Sequence, residues 1–257
     1  MRRKTGFTLI ETLVSLSLLL ILLGLAYNGI DRFMRVRQQQ DVITATQAKL
    51  RRTVEVFTQD LRSAVFGAII DEPYASGEDA VSFALLKGNS GFKVYTSNPA
   101  GWSDAYDTVV IAENPGLRRG DRVMIVNQAQ KAVILKVTGV RNLGGNRWRI
   151  RHNGCKNTLS YYSNTLLFGV DLYGIRYDED QKALILNEKG NELPLAFGIE
   201  DFEIEYLPSR AQAQRLKVHL TAESPLREGT IARGYTGVVE LSNNATFDVK
   251  EVVACER

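Results

Sequence analysis

The strongest constraint on this chain is an apolar run near its N-terminus. From Thr12 to Ile30 no residue is charged, and as a helix this run is about 28 Å long, close to the thickness of a bilayer core. Leu18–Leu25 is apolar at every position except Gly24, so it lacks the polar face that a surface helix turns toward water. We therefore predict a membrane-spanning helix rather than a buried core helix.

Three basic residues, Arg2, Arg3 and Lys4, precede the apolar run. Basic residues mark the cytoplasmic end of a membrane helix, so we expect the rest of the chain to be exported. These residues also account for the formal net charge of +3. The remaining chain is formally neutral, so it has no overall electrostatic attraction to nucleic acid.

Glu11 lies at the start of the apolar run, where a carboxylate is costly. The cost at the centre of a bilayer is about 3 kcal/mol, and it falls toward the interface. A charge in a membrane segment indicates a function and requires a positive partner. The residues alone leave three possibilities: an uncleaved anchor, a secretory signal cut before Tyr27, or a cut before the apolar run that leaves the helix on the mature protein.

The segment Lys4–Glu11 has the sequence KTGFTLIE and resembles the processing motif of type IV pilins and of type II secretion pseudopilins. The resemblance implies that a prepilin peptidase cuts between Gly6 and Phe7 and methylates the new amino group of Phe7. It also implies that Glu11, the fifth residue after the cut, pairs with the N-terminal amine of a neighbouring subunit. Opposite charges attract strongly at low dielectric constant, so this pairing fits the chemistry of a membrane.

Two features favour the minor pilins and pseudopilins within this family. Major pilins often carry a proline inside the helix and are usually much shorter, whereas the first proline of this 257-residue chain is Pro73. The segments Leu195–Tyr206 and Arg215–Ala222 are similar to the tail of large minor pilins of the PilW type and of the related J-type pseudopilins.

The helical pattern continues beyond the apolar run. Apolar residues recur at steps of mostly three, four or seven, which is typical of one helical face, and no proline or glycine interrupts residues 30–66. These apolar residues are Ile30, Phe33, Val36, Ile43, Leu50, Val54, Phe57, Leu61 and Val65. We predict one helix from about Thr8 to about Phe66 whose second half packs on the body; the alternative is a coiled-coil contact with another pilin.

From Gly67 onward the sequence has the alternating and β-branched runs of strands, separated by turn residues. The predicted strands are Ala80–Leu86, Thr108–Ala112, Asp121–Asn127, Lys131–Val140, Arg147–Arg151, Thr165–Tyr177, Ala183–Asn187, Ile199–Leu207, Arg215–Ala222 and Thr236–Leu241. The two strands joined by the glycine-rich turn Asn142–Asn146 are expected to form a hairpin. Successive strands without helices between them favour antiparallel sheets.

These patterns predict an α+β fold, in which a long N-terminal helix, membrane-embedded and then amphipathic, packs on an antiparallel β-rich globular head. We expect a leader peptide at residues 1–6, which is removed, and the pilin helix at 7–66, with its transmembrane part at about 9–30. The periplasmic head is expected at 67–257.

The chain contains two cysteines, Cys155 and Cys255, which are too few for a disulfide scaffold. In an oxidising compartment they form one disulfide bond or remain two free thiols; the resemblance to pilins, whose heads often close a C-terminal loop in this way, favours the bond. With His152 and His219 they make a nominal zinc set. Only one pair in this set has ligand-like spacing, so we expect no metal site.

The sequence offers no pattern of an enzyme. It has neither a Gly-x-Ser-x-Gly nucleophile elbow nor a glycine-rich phosphate loop followed by lysine. We therefore predict that the protein has no catalytic activity, no cofactor and no small-molecule substrate.

Basic residues alternate with an aromatic residue at Arg147, Trp148, Arg149 and Arg151, and Tyr161-Tyr162 follow. Single-stranded nucleic acid binds to such mixtures, and the resemblance keeps DNA as a partner because type IV pili can take up DNA. The same alternation is typical of a half-buried strand with its arginines directed outward, and we favour this interpretation.

The sequence as a whole predicts a minor pilin inserted in the bacterial inner membrane with its head in the periplasm. After processing by the prepilin peptidase, its helix would join other major and minor pilins in a pilus or pseudopilus, at or near the tip, and reach the cell surface. There it would serve pilus assembly, motility, adhesion or DNA uptake. The alternatives are a pseudopilin of a type II secretion system and, in another class, a membrane-anchored periplasmic module that binds ligands or DNA.

Overall fold

The computed structural model describes residues 9–65, 69–88, 91–95, 107–129, 131–152, 159–210, 213–226, 229–241 and 248–251. These residues form one helix and fourteen strands. They are α1 (Leu9–Arg62), β1 (Ile69–Ile70), β2 (Ala80–Leu86), β3 (Phe92–Val94), β4 (Asp107–Ile111), β5 (Arg122–Val126), β6 (Lys131–Gly144), β7 (Arg147–His152), β8 (Leu166–Asp178), β9 (Ala183–Glu188), β10 (Asn191–Phe197), β11 (Ile199–Leu207), β12 (Arg215–Leu226), β13 (Gly229–Glu240) and β14 (Asp248–Glu251). One long helix on a mainly antiparallel, β-rich head confirms the predicted α+β fold.

α1 is a continuous helix of 54 residues, about 80 Å long. It confirms the helix predicted from the repeated apolar spacing, but it ends at Arg62 rather than at about Phe66. The N–H groups of Ser63 and Ala64 donate to the carbonyls of Asp60 and Leu61, three residues back, at 3.0 and 3.1 Å. These 3₁₀-type hydrogen bonds tighten the last turn and close the helix.

All ten predicted strands are present, and β6 and β7 form the predicted hairpin. The sequence patterns did not predict β1, β3, β10 and β14. β1 and β3 have two and three residues, too few for a periodic pattern. β10 contains Pro194, which normally argues against a strand. β10 tolerates this proline because β9 is its one partner among the described strands and because the register shifts beside the proline.

β12 and β13 are longer than predicted and pair in one unbroken register. Gly234 and Gly237 weaken the strand pattern of β13, and Pro225 weakens that of β12. Pro225 lies beyond Ala222, the last residue of β12 that pairs with β11, so its missing N–H breaks no ladder on that side. The pair of β14 with β6 is parallel, and the other strand pairs of the described residues are antiparallel.

Six of the described strands close into a small barrel. Their pairs run in a circle from β3 to β4, β7, β6, β5 and β8, and from β8 back to β3. The interior is a cluster of buried apolar side chains that includes Val110, Leu135, Ile150 and Tyr161. The barrel therefore has a core of its own, and its ring of pairs leaves few unpaired strand edges.

β8 connects the barrel to the rest of the head. Its first residues pair with β3 and β5, and its later residues pair with β2 and β9. β2 and β9, with β1 and β10 beyond them, extend the sheet next to the barrel. One continuous strand thus belongs to both parts of the head.

β5 and the first half of β6 are buried on both faces. Val123 and Ile125 belong to the cluster inside the barrel. Met124 and Ile134 belong to another cluster, together with Val65 from just after α1. Burial on both faces explains why β5 reads as an uninterrupted apolar run rather than as an alternating one.

A separate sheet of three strands, β11–β12–β13, packs against the part of α1 from Thr46 to Arg62, the docked segment. Its apolar residues Leu50, Val54, Phe57 and Leu61 are spaced by three or four, and they share one core with this sheet and with β2, β8 and β9. Phe57 contacts the ring of Phe202 in β11 edge to face, with 6.2 Å between the ring centroids.

Gly237 allows α1 to approach β13 closely. A Cβ atom on Gly237 would lie 2.4 Å from Cγ1 of Val54, well inside the usual separation of about 3.5–4.0 Å between carbon atoms. The absence of a side chain at Gly237 therefore sets the distance between the helix and the sheet.

We predict that Gly237→Ala destabilises the fold by about 1–3 kcal/mol, the usual cost of overpacking a core. The measurement is the thermal midpoint of the whole chain in detergent micelles. Gly139→Ala in β6 is the matched control, because its added Cβ would lie at an ordinary 3.8 Å from Arg151. Val54→Ala should recover part of the loss in the Gly237→Ala background, since it removes the clashing methyl group. Equal midpoints for Gly237→Ala and the control would contradict this account.

Candidate functional site: the N-terminal helix

The first part of α1, from Leu9 to Ile30, has no cover from the rest of the described chain. Every residue in this stretch, called here the bare segment, is exposed, with Leu9 at 79% and Leu25 at 64%. The helix is long and apolar enough to cross a membrane, judged by length and composition. An exposed apolar surface of this size is stable only in contact with lipid or with other subunits.

Two hydroxyl groups in the bare segment are satisfied within the helix. Thr12 donates its hydroxyl proton to the carbonyl of Leu9, and Ser17 donates to the carbonyl of Leu13, each at 2.8 Å. Because water is absent from a bilayer core, such internal hydrogen bonds let a polar side chain stay in an apolar medium.

Glu11 lies in the first turn of α1 as the structure describes it. About 50 Å of helix separate Glu11 from Thr46, the first buried residue of α1, so Glu11 is remote from the charges of the head. Gly6 and Phe7, the predicted cleavage site, lie outside the described residues.

The predicted apolar face of α1 is used in two different ways. From Leu50 to Leu61 it packs on the head, as expected. Ile30, Phe33 and Val36 are exposed instead, Phe33 at 64%, so the prediction of core packing is wrong for this part. Their exposure fits the alternative, contact with another subunit, and an ion pair between Asp31 and Arg35 keeps the neighbouring surface polar.

Polar contacts also hold the docked segment on the head. Thr46 shares a hydrogen bond with Ser224 of β12, and the ammonium group of Lys49 donates to the carbonyl of Phe197. Burial lowers the pKa of Lys49. The sequence analysis did not single out these residues, because their partners lie far along the chain.

Asp60 carries an unfavourable charge in the last turns of α1. Burial raises the pKa of Asp60, and the nearby Glu188 carboxylate raises it further. Glu188 accepts a hydrogen bond from the hydroxyl of Tyr173 at 2.9 Å, and burial together with Glu188 raises the pKa of Tyr173 to about 12. The sequence feature that indicates this unfavourable charge is a carboxylate near the C-terminus of a helix, where it opposes the helix dipole.

The two histidines lie in different sheets. His152 is buried at the end of β7 and shares a hydrogen bond with Thr108 at 3.0 Å, while Thr108 shares another with Tyr161. His219 lies on β12, where it shares a hydrogen bond with Thr236 at 2.8 Å. The described residues contain no group of three or more metal-binding side chains. Cys155 and Cys255 lie outside the described residues.

The arginines of β7 alternate as a half-buried strand predicts. Arg147 and Arg151 are exposed and Arg149 is half-exposed. Trp148 points to the other side, where its Nε1 donates to the carbonyl of Ala112 at 3.1 Å, and Tyr161 is fully buried. The strand interpretation of this stretch is confirmed. The ring of Tyr161 is closed to bases, and the ring of Trp148 is half-buried.

Residues 1–27 match a family model described as the prokaryotic N-terminal methylation motif. No curated protein and no solved structure matches the chain significantly. The matched motif runs into the bare segment of α1, so the two observations concern one element. They support a type IV pilin-like protein, a pilin or a pseudopilin, with membrane anchoring before assembly. The motif points to a structural subunit rather than to an enzyme.

We predict that Asp60→Asn raises the thermal midpoint at pH 7. A raised carboxyl pKa means that the folded chain binds this proton more tightly than the unfolded chain, so stability falls as pH rises through the range above the ordinary value of 3.8. The gain from Asp60→Asn should therefore shrink toward zero as the pH is lowered to about 4.

The matched control is Glu55→Gln on the same helix. Glu55 is exposed and forms an ion pair with Arg51 at 2.8 Å, so its neutralisation should leave the midpoint unchanged or slightly lower. A gain for Asp60→Asn that stays constant between pH 4 and pH 7 would show that burial of the charge is not its cause.

Proposed function

We propose that this protein is a minor pilin of a type IV pilus. The observation that carries the proposal is the continuity of three parts: a methylation motif at residues 1–27, a bare apolar segment at Leu9–Ile30, and a helix that runs without a break into a docked segment on the head. An ordinary membrane anchor requires neither the motif nor the continuous helix.

In this proposal the prepilin peptidase cuts between Gly6 and Phe7 and methylates Phe7, which becomes the new N-terminus. The protein stays in the inner membrane, with its head in the periplasm, until its helix joins the helices of other major and minor pilins. Glu11 then pairs with the N-terminal amine of a neighbouring subunit, and low dielectric surroundings strengthen this attraction. The exposed side chains of Phe33 and Val36 extend the contact surface beyond the membrane.

The size of the head supports a position at or near the tip. The head is formed by fourteen strands of the described residues, in a barrel, its extension and a separate sheet. A bulky head at a tip does not disturb the packing of repeated subunits along a shaft. At a tip it would aid pilus assembly, motility or DNA uptake.

A pseudopilin of a type II secretion system is the alternative within the family. The motif serves both classes, and the segments Leu195–Tyr206 and Arg215–Ala222 resemble both PilW-type minor pilins and J-type pseudopilins. Their strands pair as β11 and β12, with Phe202 and Ile204 buried. Deletion of the gene separates the two roles: loss of surface pili supports a minor pilin, and loss of exported enzymes with normal pili supports a pseudopilin.

Cys155 and Cys255 are proposed to form a disulfide bond in the periplasm. In a loop of about 100 residues the bond would stabilise the head by up to about 4–5 kcal/mol, since it restricts the unfolded chain.

The mature N-terminus tests the processing step. We expect mass spectrometry of the protein from membranes to find N-methylated Phe7 as the first residue. A first residue at Tyr27 would identify a secretory signal, and an intact Met1 would identify a plain anchor; either result contradicts the pilin proposal.

Glu11→Gln tests the assembly step. We expect this variant to be cut and methylated normally but to be lost from sheared filaments, because the amine of its neighbour has no charge to pair with. Glu55→Gln is the matched control, since it also neutralises one exposed glutamate of α1 and should enter filaments as the unaltered protein does. Normal incorporation of Glu11→Gln would refute the pairing.

A further inference from the structure

The outer surface of the barrel brings together five basic side chains that are scattered in the sequence. Three of them lie on β7. A fourth comes from β6, which pairs with one edge of β7, and the fifth comes from β3, which is connected to the other edge of β7 through β4. They are Lys93, Arg141, Arg147, Arg149 and Arg151, called here the arginine face. Arg149 stands directly opposite Arg141, and Arg147 stands opposite Ile111, which in turn stands opposite Lys93.

The charges of the arginine face are poorly neutralised. Arg151 contacts the carboxylate of Asp107 at 3.4 Å. Within the part of the chain that the structure describes, the other four basic side chains have no ion pair. Like charges directly opposite on neighbouring strands are destabilising, so the pair Arg141 and Arg149 weakens the fold unless an anion lies against it.

The arginine face is held on a rigid support. β7 pairs with β4 on one side and with β6 on the other, and the opposite face of β7 carries Ile150, fully buried in the barrel. The guanidinium of Arg147 also stacks over the ring of Tyr95, 5.7 Å from its centroid. The strand positions that carry the charges are therefore fixed before any ligand arrives, which reduces the cost of binding.

We propose that the arginine face binds the phosphate backbone of double-stranded DNA without regard to sequence. This proposal deepens the DNA-uptake part of the proposed function and rests on it for the place where the protein would meet DNA. The guanidinium group of arginine matches phosphate in shape and charge. Arg147 to Arg151 span about 13 Å along the strand, and a DNA strand presents about four phosphates over that length.

The structure favours backbone contact over recognition of bases. Tyr161 is buried inside the barrel, and Trp148 packs against the same cluster as a partly buried side chain. Tyr95 is 41% exposed, and the guanidinium of Arg147 lies over its ring. A site for single strands normally stacks successive bases on several open aromatic rings. On the arginine face, as far as the structure describes it, Tyr95 is the exposed ring, and Arg147 already lies over it.

The test uses the whole chain in detergent micelles and a fluorescent DNA duplex of arbitrary sequence. With about four phosphates neutralised, the logarithm of the binding constant should fall with the logarithm of salt concentration at a slope of about −3 to −4. Arg149→Ala should weaken binding roughly tenfold and reduce the slope by about one. Arg141→Ala should act similarly without lowering the thermal midpoint, because it relieves the repulsion between the paired arginines.

Arg215→Ala is the matched control, since Arg215 lies on the separate sheet and pairs with Glu240 at 3.2 Å; it should leave the affinity and the slope unchanged. Absence of binding, or binding that Arg149→Ala and Arg141→Ala do not weaken, would overturn the proposal. Displacement of the duplex by alginate, a carboxylate polymer, at equal charge concentration would also overturn it in favour of a polysaccharide. The measurement does not depend on cleavage at Gly6, so its result is independent of the mature N-terminus.

Discussion

Val54 of α1 packs against the bare backbone of Gly237, and Phe57 packs against the ring of Phe202. These contacts join the element that enters a membrane to the element that folds in water. Because α1 has no proline and continues as one helix from Leu9 to Arg62, the position of the head relative to the bare segment follows from this docking alone. A change at the docking site would therefore alter the whole molecule.

Two of the three clusters of buried apolar side chains in the head differ in their contact with α1. The core against α1 holds the three-stranded sheet and the extension of the large sheet, while the barrel has a core without any residue of α1. β8 belongs to both parts and ties them together. The outer surface of β7 and of the second half of β6 is exposed and lies outside the core against α1, so its charge can vary without affecting how the helix packs.

Periodicity in the sequence was enough to predict α1, ten strands and the hairpin of β6 and β7, because each depends on residues close together in the chain. It did not predict β10, since Pro194 hides a strand that only its edge position permits. Periodicity also did not distinguish the exposed Phe33 from the buried Phe57, because the same spacing is typical of a core and of a contact with another subunit. Periodicity did not predict the closure of the barrel, because closure depends on pairing between strands that are far apart in the chain.

The two charged features differ in the medium that surrounds them. In the proposed assembly a single carboxylate at Glu11 would be sufficient, because the low dielectric constant of a membrane strengthens the attraction within one pair of charges. The arginine face lies in water, where salt screens charges over about 8–10 Å, so it needs several guanidinium groups within one screening length to act together. The cluster is not visible in the sequence, because Arg141 and Lys93 come near Arg149 and Arg147 only through pairing between strands. Acidic residues elsewhere also balance these charges, so that the chain after Lys4 is formally neutral as a whole.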